Sequence, residues 1–343
     1  AAFVRMNRAG DMSAIRLARV VPPAAVPGAE FQMRGENRGG RTRPEVRFGD
    51  VQGAVVVGSG SLVIARVPEA SSYGDMVVSR EGANSAPYHC AIGIQIADGL
   101  HPVANPACDE EGNIYTTFSG SRGQKTAVSV YKIDLNYDCR PFASEIMNAT
   151  GLAFDRDGVL HVSSRNEGVI YQVTGRGEIS TLVEGMGIAT GLVFDREGNL
   201  YVGDRSGTVF KINRQRNVFV FATLEPSMAA YHLAFGPDGY LYVSGPTTSS
   251  YDSIQRVAPN GEAEVFFRGL GRPQGLAFDG DGNLYCAASH AGRRGVVRIS
   301  PEREAQHFLS GHGIVGLCLL PSRAMAVATN NSIFRVDVDI ARP

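Results

Sequence analysis

The chain has 343 residues and a mass of 36.6 kDa, and its 33 Lys+Arg against 34 Asp+Glu leave a net charge of -1 and a pI near 6.7. That balance removes the electrostatic ground for expecting nucleic acid or an anionic membrane as a partner, and 43% hydrophobic with 20% charged residues excludes wholesale disorder. Glycine, at 41 residues, exceeds the usual ~7% and predicts many turns.

No apolar run approaches the roughly 18 residues of a membrane span; the longest, such as Ala54 to Val57, are strand-sized. The first twenty residues carry arginines and no uninterrupted apolar segment, so a signal peptide is not visible. A cytoplasmic protein is the expectation, or a secreted or periplasmic one if a leader has been removed. Cys90, Cys108, Cys139, Cys286 and Cys318 are odd in number and lack CxxC spacing, which argues against a disulfide framework or a zinc knuckle.

In chain order, residues 1–15 read as a tail. Short strands follow at Glu30 to Arg34, Glu45 to Phe48, Gly53 to Val57, Ser61 to Val67 and Asp75 to Ser79, punctuated by Gly and Pro. That spacing predicts a small β-sandwich over residues 16–90.

From about residue 91 the chain repeats a unit of the form T-G-L-x-F-D-x-x-G-x-L-Y-V. It begins at Thr150, Thr190, Tyr231 and Gln274, with degenerate copies at Ala104 and Val315. The position after the turn, taken at Tyr115, His161, Tyr201, Tyr242, Tyr285 and Ala326, recurs every ~42 residues, the length of a propeller blade. Within the Thr190 copy, Gly191 to Asp195 reads as a first strand, Glu197-Gly198 as a turn, and Asn199 to Gly203, Thr208 to Ile212 and Val218 to Ala222 as the next three. Such a sheet cannot cover both its faces alone, and radial packing of six solves this. The last copy has no room for a fourth strand before Pro343. The segment Ala91 to Ala97, with isoleucine at every second position, is expected to supply it and close the ring. The predicted fold is therefore all-β, a small β-sandwich over 16–90 and a six-bladed β-propeller over 91–343 closed by an N-terminal strand.

On these motifs the repeat region resembles the NHL and SMP-30/gluconolactonase class of six-bladed propellers. The segments PGAEFQMRGEN, PEVRFGD, LVIARVP and GDMVVS resemble an IPT/TIG immunoglobulin-like domain. The lactonase resemblance implies a divalent cation held on the central axis by Glu, Asn and Asp at the position before G-L. Here that position is Ala104, Thr150, Thr190, Tyr231, Gln274 and Val315, with no carboxylate, whereas a hard cation wants charged or carbonyl oxygens. Peptide-amidating lyases of similar fold carry zinc-binding histidines there, and these are missing too.

The second strands end near the same mouth at Phe118, Ser164, Asp204, Gly245, Ala288 and Thr329. Thr150, Thr190, Asp204, Tyr231, His232 and Gln274 are the expected ligand-binding set, a polar and mostly uncharged concavity. The competing reading of Asp204 is a turn acid that caps the backbone or pairs with Arg205. Candidate catalytic residues are Asp204, His101 and His232. His101, His232 and His290 form a weak candidate zinc set, although three of seven histidines fall near one locus readily. His161 reads as a packing residue, the Asp279-to-Asn283 turn as a hairpin device lacking the bidentate Glu of a calcium loop, and Cys108, Cys286 and Cys318 as small core residues. Pro246 to Tyr251 and Ser119 to Gly123 are placed to cover the mouth.

Two functions follow. The first is a binding protein whose funnel takes a small molecule, a glycan or a protein partner, with no cofactor. The second is a hydrolase of the lactonase type acting on a lactone or sugar-derived ester through Asp204, His101 and His232, with a divalent cation possible. A purely structural assembly module is a weaker third.

Overall fold

The computed structural model describes residues 15–36, 41–70, 73–249 and 251–343; the expected tail over 1–15 lies outside these save Ile15, as does Ser250 of the expected lid Pro246 to Tyr251. The chain divides into two compact units, Ala1–Ile92 and Gly93–Pro343.

In the first unit the strands Arg16–Val21, Glu30–Glu36, Glu45–Phe48, Val51–Gly58, Leu62–Arg66, Met76–Arg80 and Ala83–Asn84 hydrogen-bond into one continuous sheet. The reason lies in Val51–Gly58. Val51 to Gly53 pair with Glu45–Phe48, and from Ala54 on the strand pairs with Leu62–Arg66, with a bulge at Val55 to Val57 just after the change of partner. A strand that changes partner and bends at a bulge turns a sheet back on itself. Alternating residues from both halves then share one core, with Phe31 and Phe48 fully buried and their rings 6.0 Å apart.

The second unit is built of successive four-stranded antiparallel arrays with the first strand of each at one edge, all but the last formed from consecutive strands. One array runs Ala149–Phe154, Leu160–Ser164, Val169–Val173, Ile179–Val183, and the next Ala189–Phe194, Leu200–Asp204, Thr208–Ile212, Val218–Thr223. Facing first strands pack directly on one another, because the glycine that follows the axial residue in four of the six copies (Gly151, Gly191, Gly275 and Gly316) removes a Cβ. A Cβ at Gly151 would lie 2.1 Å from the Thr190 carbonyl oxygen, and one at Gly191 2.4 Å from that of Tyr231. The G of the repeat is thus an inter-sheet contact.

The remaining motif residues build the hairpin at the opposite end. Asp279 accepts from the backbone N–H groups of Asp281 and Asn283 at 2.9 Å, from the Asn283 amide at 2.9 Å and from the Tyr285 hydroxyl at 3.0 Å. Asp109 and Asp195 hold Asn113 and Asn199 in the same way. The acid is consumed inside its own turn.

The last array is Ile314–Leu319, Ala324–Thr329 and Ile333–Asp337, completed by Ile94–Ala97, which pairs antiparallel with Ile333–Asp337. The expected closing strand Ala91 to Ala97 is therefore divided. Ala91–Ile92 pairs parallel with Ala24–Ala25 in the first unit, and Gly93 separates the two pieces. These arrays form a β-propeller. Among the described residues no helix is long and apolar enough to cross a membrane.

Candidate functional site

The start of each first strand and the end of its second strand lie at the same end of the propeller: Ala149 pairs with Ser164, Ala189 with Asp204, His232 with Ser244 and Ile314 with Thr329. Thr150, Thr190, Tyr231, His232 and Gln274 therefore share one mouth, and all are buried. What each side chain does there differs from the sequence expectation.

Thr190 is a strut. Its hydroxyl oxygen lies 3.0 Å from the Gly203 carbonyl, to which it donates, and accepts from the Tyr231 N–H at 3.0 Å, joining neighbouring arrays. Ser163 likewise donates to the Thr190 carbonyl at 2.6 Å. The Tyr231 hydroxyl donates to the Glu225 carbonyl, and burial, with Asp204 and Glu225 nearby, pushes its pKa up to about 12.

Asp204, the candidate catalytic acid, is 5% exposed and its two oxygens are filled: Oδ1 accepts from the N–H groups of Ile188 and Ser206 at 3.0 Å each, and Oδ2 accepts from the Ser206 hydroxyl at 2.6 Å. These bonds are those of the competing reading, a turn acid that caps the backbone, and Asp204 does not pair with Arg205. Arg205 instead donates to the Met228 carbonyl at 3.2 Å.

The three histidines do not form a metal set. His101 is exposed and bridges to Phe118. His290 stands at the end of its strand opposite Arg293, with its ring 6.3 Å from that of Phe267. His232 is buried, with Nε2 lacking any hydrogen-bond partner, and burial first and the Arg294 guanidinium second depress its pKa to about 3. Among the described residues no three His, Cys, Asp or Glu side chains are grouped to hold a metal ion, which corrects the zinc set of His101, His232 and His290. His161 packs edge-on to Phe194 at 4.8 Å.

Two arginines missed in the sequence occupy this mouth. Arg165, the residue after the second strand Leu160–Ser164, donates to the hydroxyls of Ser119 at 2.6 Å and Thr150 at 3.1 Å and to the Gly120 carbonyl at 3.1 Å. Arg294 comes from a third strand, Arg293–Ile299. It donates to the Gly271, Arg272 and Ile314 carbonyls at 3.2, 2.8 and 2.7 Å and to the Gln274 side-chain oxygen. Burial lowers the pKa of both guanidiniums, with Arg205 adding to the effect on Arg165. The mouth is therefore polar and charged rather than mostly uncharged. The one available signal was the recurrence of Arg at the same repeat position, Arg165 and Arg205; Arg294 had none, because a long side chain reaches its site from an arbitrary register.

No family model and no curated protein matches the chain. Solved structures do. A protein described as an auxiliary nutrient binding protein from Bacteroides thetaiotaomicron is 14% identical, with 94% of this chain and 97% of that chain covered at a TM-score of 0.59. A putative gluconolactonase is 17% identical over 73% of this chain and 93% of its own, TM-score 0.60. Virginiamycin B lyase from Staphylococcus aureus is 13% identical over 71% and 97%, TM-score 0.53. At these identities the likeness establishes the β-propeller fold.

Proposed function

We propose that the protein is a binding propeller that takes a small polar molecule or a glycan at the mouth lined by Thr150, His232 and Gln274. The arrays form six blades of the NHL and SMP-30/gluconolactonase-like class, and the first unit is an immunoglobulin-like module of the IPT/TIG kind. The observation that carries the reading is His232. A buried imidazole with an unsatisfied nitrogen costs free energy unless a partner arrives, and this one sits among buried polar side chains of several blades at one mouth. Similarity to a nutrient binding protein over nearly the whole of both chains agrees with it.

The hydrolase reading has the likeness to the gluconolactonase in its favour. Against it, Asp204 is engaged in its own turn and His232 lacks a carboxylate to raise its basicity. The test is calorimetric titration with a panel of sugars, sugar acids and lactones on the wild type and His232→Leu. Binding lost in the variant supports the proposal. Turnover of a lactone that survives Gln274→Leu and His232→Leu defeats it.

A further inference from the structure

Three arginines stand at the mouth without an ion-pair partner among the described residues. Arg165, Arg205 and Arg294 donate only to carbonyl, hydroxyl and amide oxygens. Among the described residues none of the three takes part in an ion pair, although arginines elsewhere do, such as Arg256 with Glu264 and Arg323 with Asp339. The acids of this face bond elsewhere: Asp204 accepts from Ile188 and Ser206, Asp252 from the Thr247 hydroxyl, with its second oxygen unpartnered, and Glu167 from the Ser164 and Tyr171 hydroxyls. Half-buried guanidiniums are normally matched by carboxylate or phosphate, because a charge taken partly out of water needs a counter-charge.

The geometry points to an anion. We infer that the ligand of this mouth carries a carboxylate or phosphate group that docks against Arg165, Arg205 and Arg294, with Thr150, Gln274 and the His232 ring beside it. The inference rests on the binding reading above and sharpens it to a ligand class. Arg165 is held by Ser119, Thr150 and the Gly120 carbonyl and Arg205 by the Met228 carbonyl, which orients both and leaves each with N–H donors for a ligand; the four terminal N–H groups of Arg294 are already bonded, so it acts on the anion through its charge. Arg165 reaches Thr150 and Arg294 reaches Gln274, the axial residues of two different blades. An acidic sugar or a dicarboxylate therefore matches the placement better than a neutral sugar. The neutral His232 ring offers one donor and one acceptor, suited to a hydroxyl of the same molecule.

The experiment is titration of the whole chain at constant ionic strength with inorganic phosphate, succinate, glucuronate and glucose, read by calorimetry and thermal shift. Glucuronate or another of the anions is expected to bind saturably and at least tenfold more tightly than glucose. Arg205→Gln, which removes one exposed-side hydrogen bond and leaves folding intact, is expected to weaken the anion by about tenfold and glucose not at all. Arg165→Gln and Arg294→Gln should weaken it further, and melting temperature without ligand reports whether they fold. Glucose binding as tightly as glucuronate, with Arg205→Gln silent on both, overturns the anionic assignment while the binding reading stands. No binding by any probe to a folded wild type defeats both.

Discussion

The Asn105 side-chain oxygen occupies the place of an absent Cβ on Gly275: a Cβ built there would lie 1.9 Å from it. Asn105 stands where the repeat has glycine, and its amide donates to the Leu276 carbonyl at 2.9 Å while its oxygen accepts from the Leu317 N–H at 3.0 Å. One side chain thus crosses the first strands of two other blades, passing over Gly316 and Gly275.

Gly275→Ala is therefore expected to cost about 3 kcal/mol, as overpacking that displaces a bonded amide. Gly239→Ala provides the contrast. It sits at φ 79° with open space around it, and only the left-handed backbone penalises it, by about 1 kcal/mol. Denaturant unfolding of both variants measures the difference, and equal losses would mean that close approach is not what selects glycine in the repeat.

The hairpin acids give a second stability prediction. Asp279→Ala strands two backbone donors, the Asn283 amide and the Tyr285 hydroxyl, and should cost about 3 kcal/mol. Tyr285→Phe removes a single bond and should cost about 1 kcal/mol. Burial and the neighbouring Asp279 hold the Tyr285 pKa above its usual 10.0, so the native state keeps this proton longer than the unfolded chain does. Stability is then full below pH 10 and falls as pH rises above it, a loss that Tyr285→Phe should reduce.

Much of this architecture was legible in the sequence because a closed ring imposes one set of contacts on every blade. The strands of the Thr190 copy, the turn role of Asp279 and the core role of Cys286 all follow from the repeat. The division at Gly93 was not legible, since Ala91-Ile92 and Ile94-Gln95-Ile96 carry the same apolar alternation and differ only in what they pair with. The candidate site was legible in location and not in role. Axial position told which side chains reach the mouth, but whether a hydroxyl faces a ligand or a neighbouring carbonyl is decided by three-dimensional approach, as at Thr190. Arg165 and Arg294 arrive from outside the motif altogether.

Acid should titrate His232. Its pKa is depressed in the fold, so the unfolded chain binds a proton that the native state refuses. Stability is complete above pH 6.5 and is lost as pH falls toward 3, with a slope of about 1.4 kcal/mol per pH unit for this one group. His232→Leu should remove one proton from the slope of unfolding free energy between pH 4 and 6. His307, also depressed by burial to about 4, remains and keeps part of that slope. An unchanged slope in the variant would show that His232 is solvated rather than sealed beside Arg294.

Ring closure is open to the sharpest contrast, because the closing strand Ile94–Ala97 alternates. Ile96 is buried with Ile114, Ala326 and Ile333, while Ile94 is 51% exposed. Ile96→Asp places a carboxylate in that apolar cluster and should cost about 4 kcal/mol, enough to open the seam between the first and last copies. Ile94→Lys changes an exposed face and should alter stability by less than about 0.5 kcal/mol. Thermal unfolding separates the two, and limited proteolysis locates the effect: in Ile96→Asp cleavage should begin in the last blade, near the Ile333–Asp337 strand it exposes. A protein in which both substitutions are equally mild would have a ring held by its blade-to-blade contacts alone, such as that of Asn105 with Leu317, with the borrowed strand contributing nothing measurable.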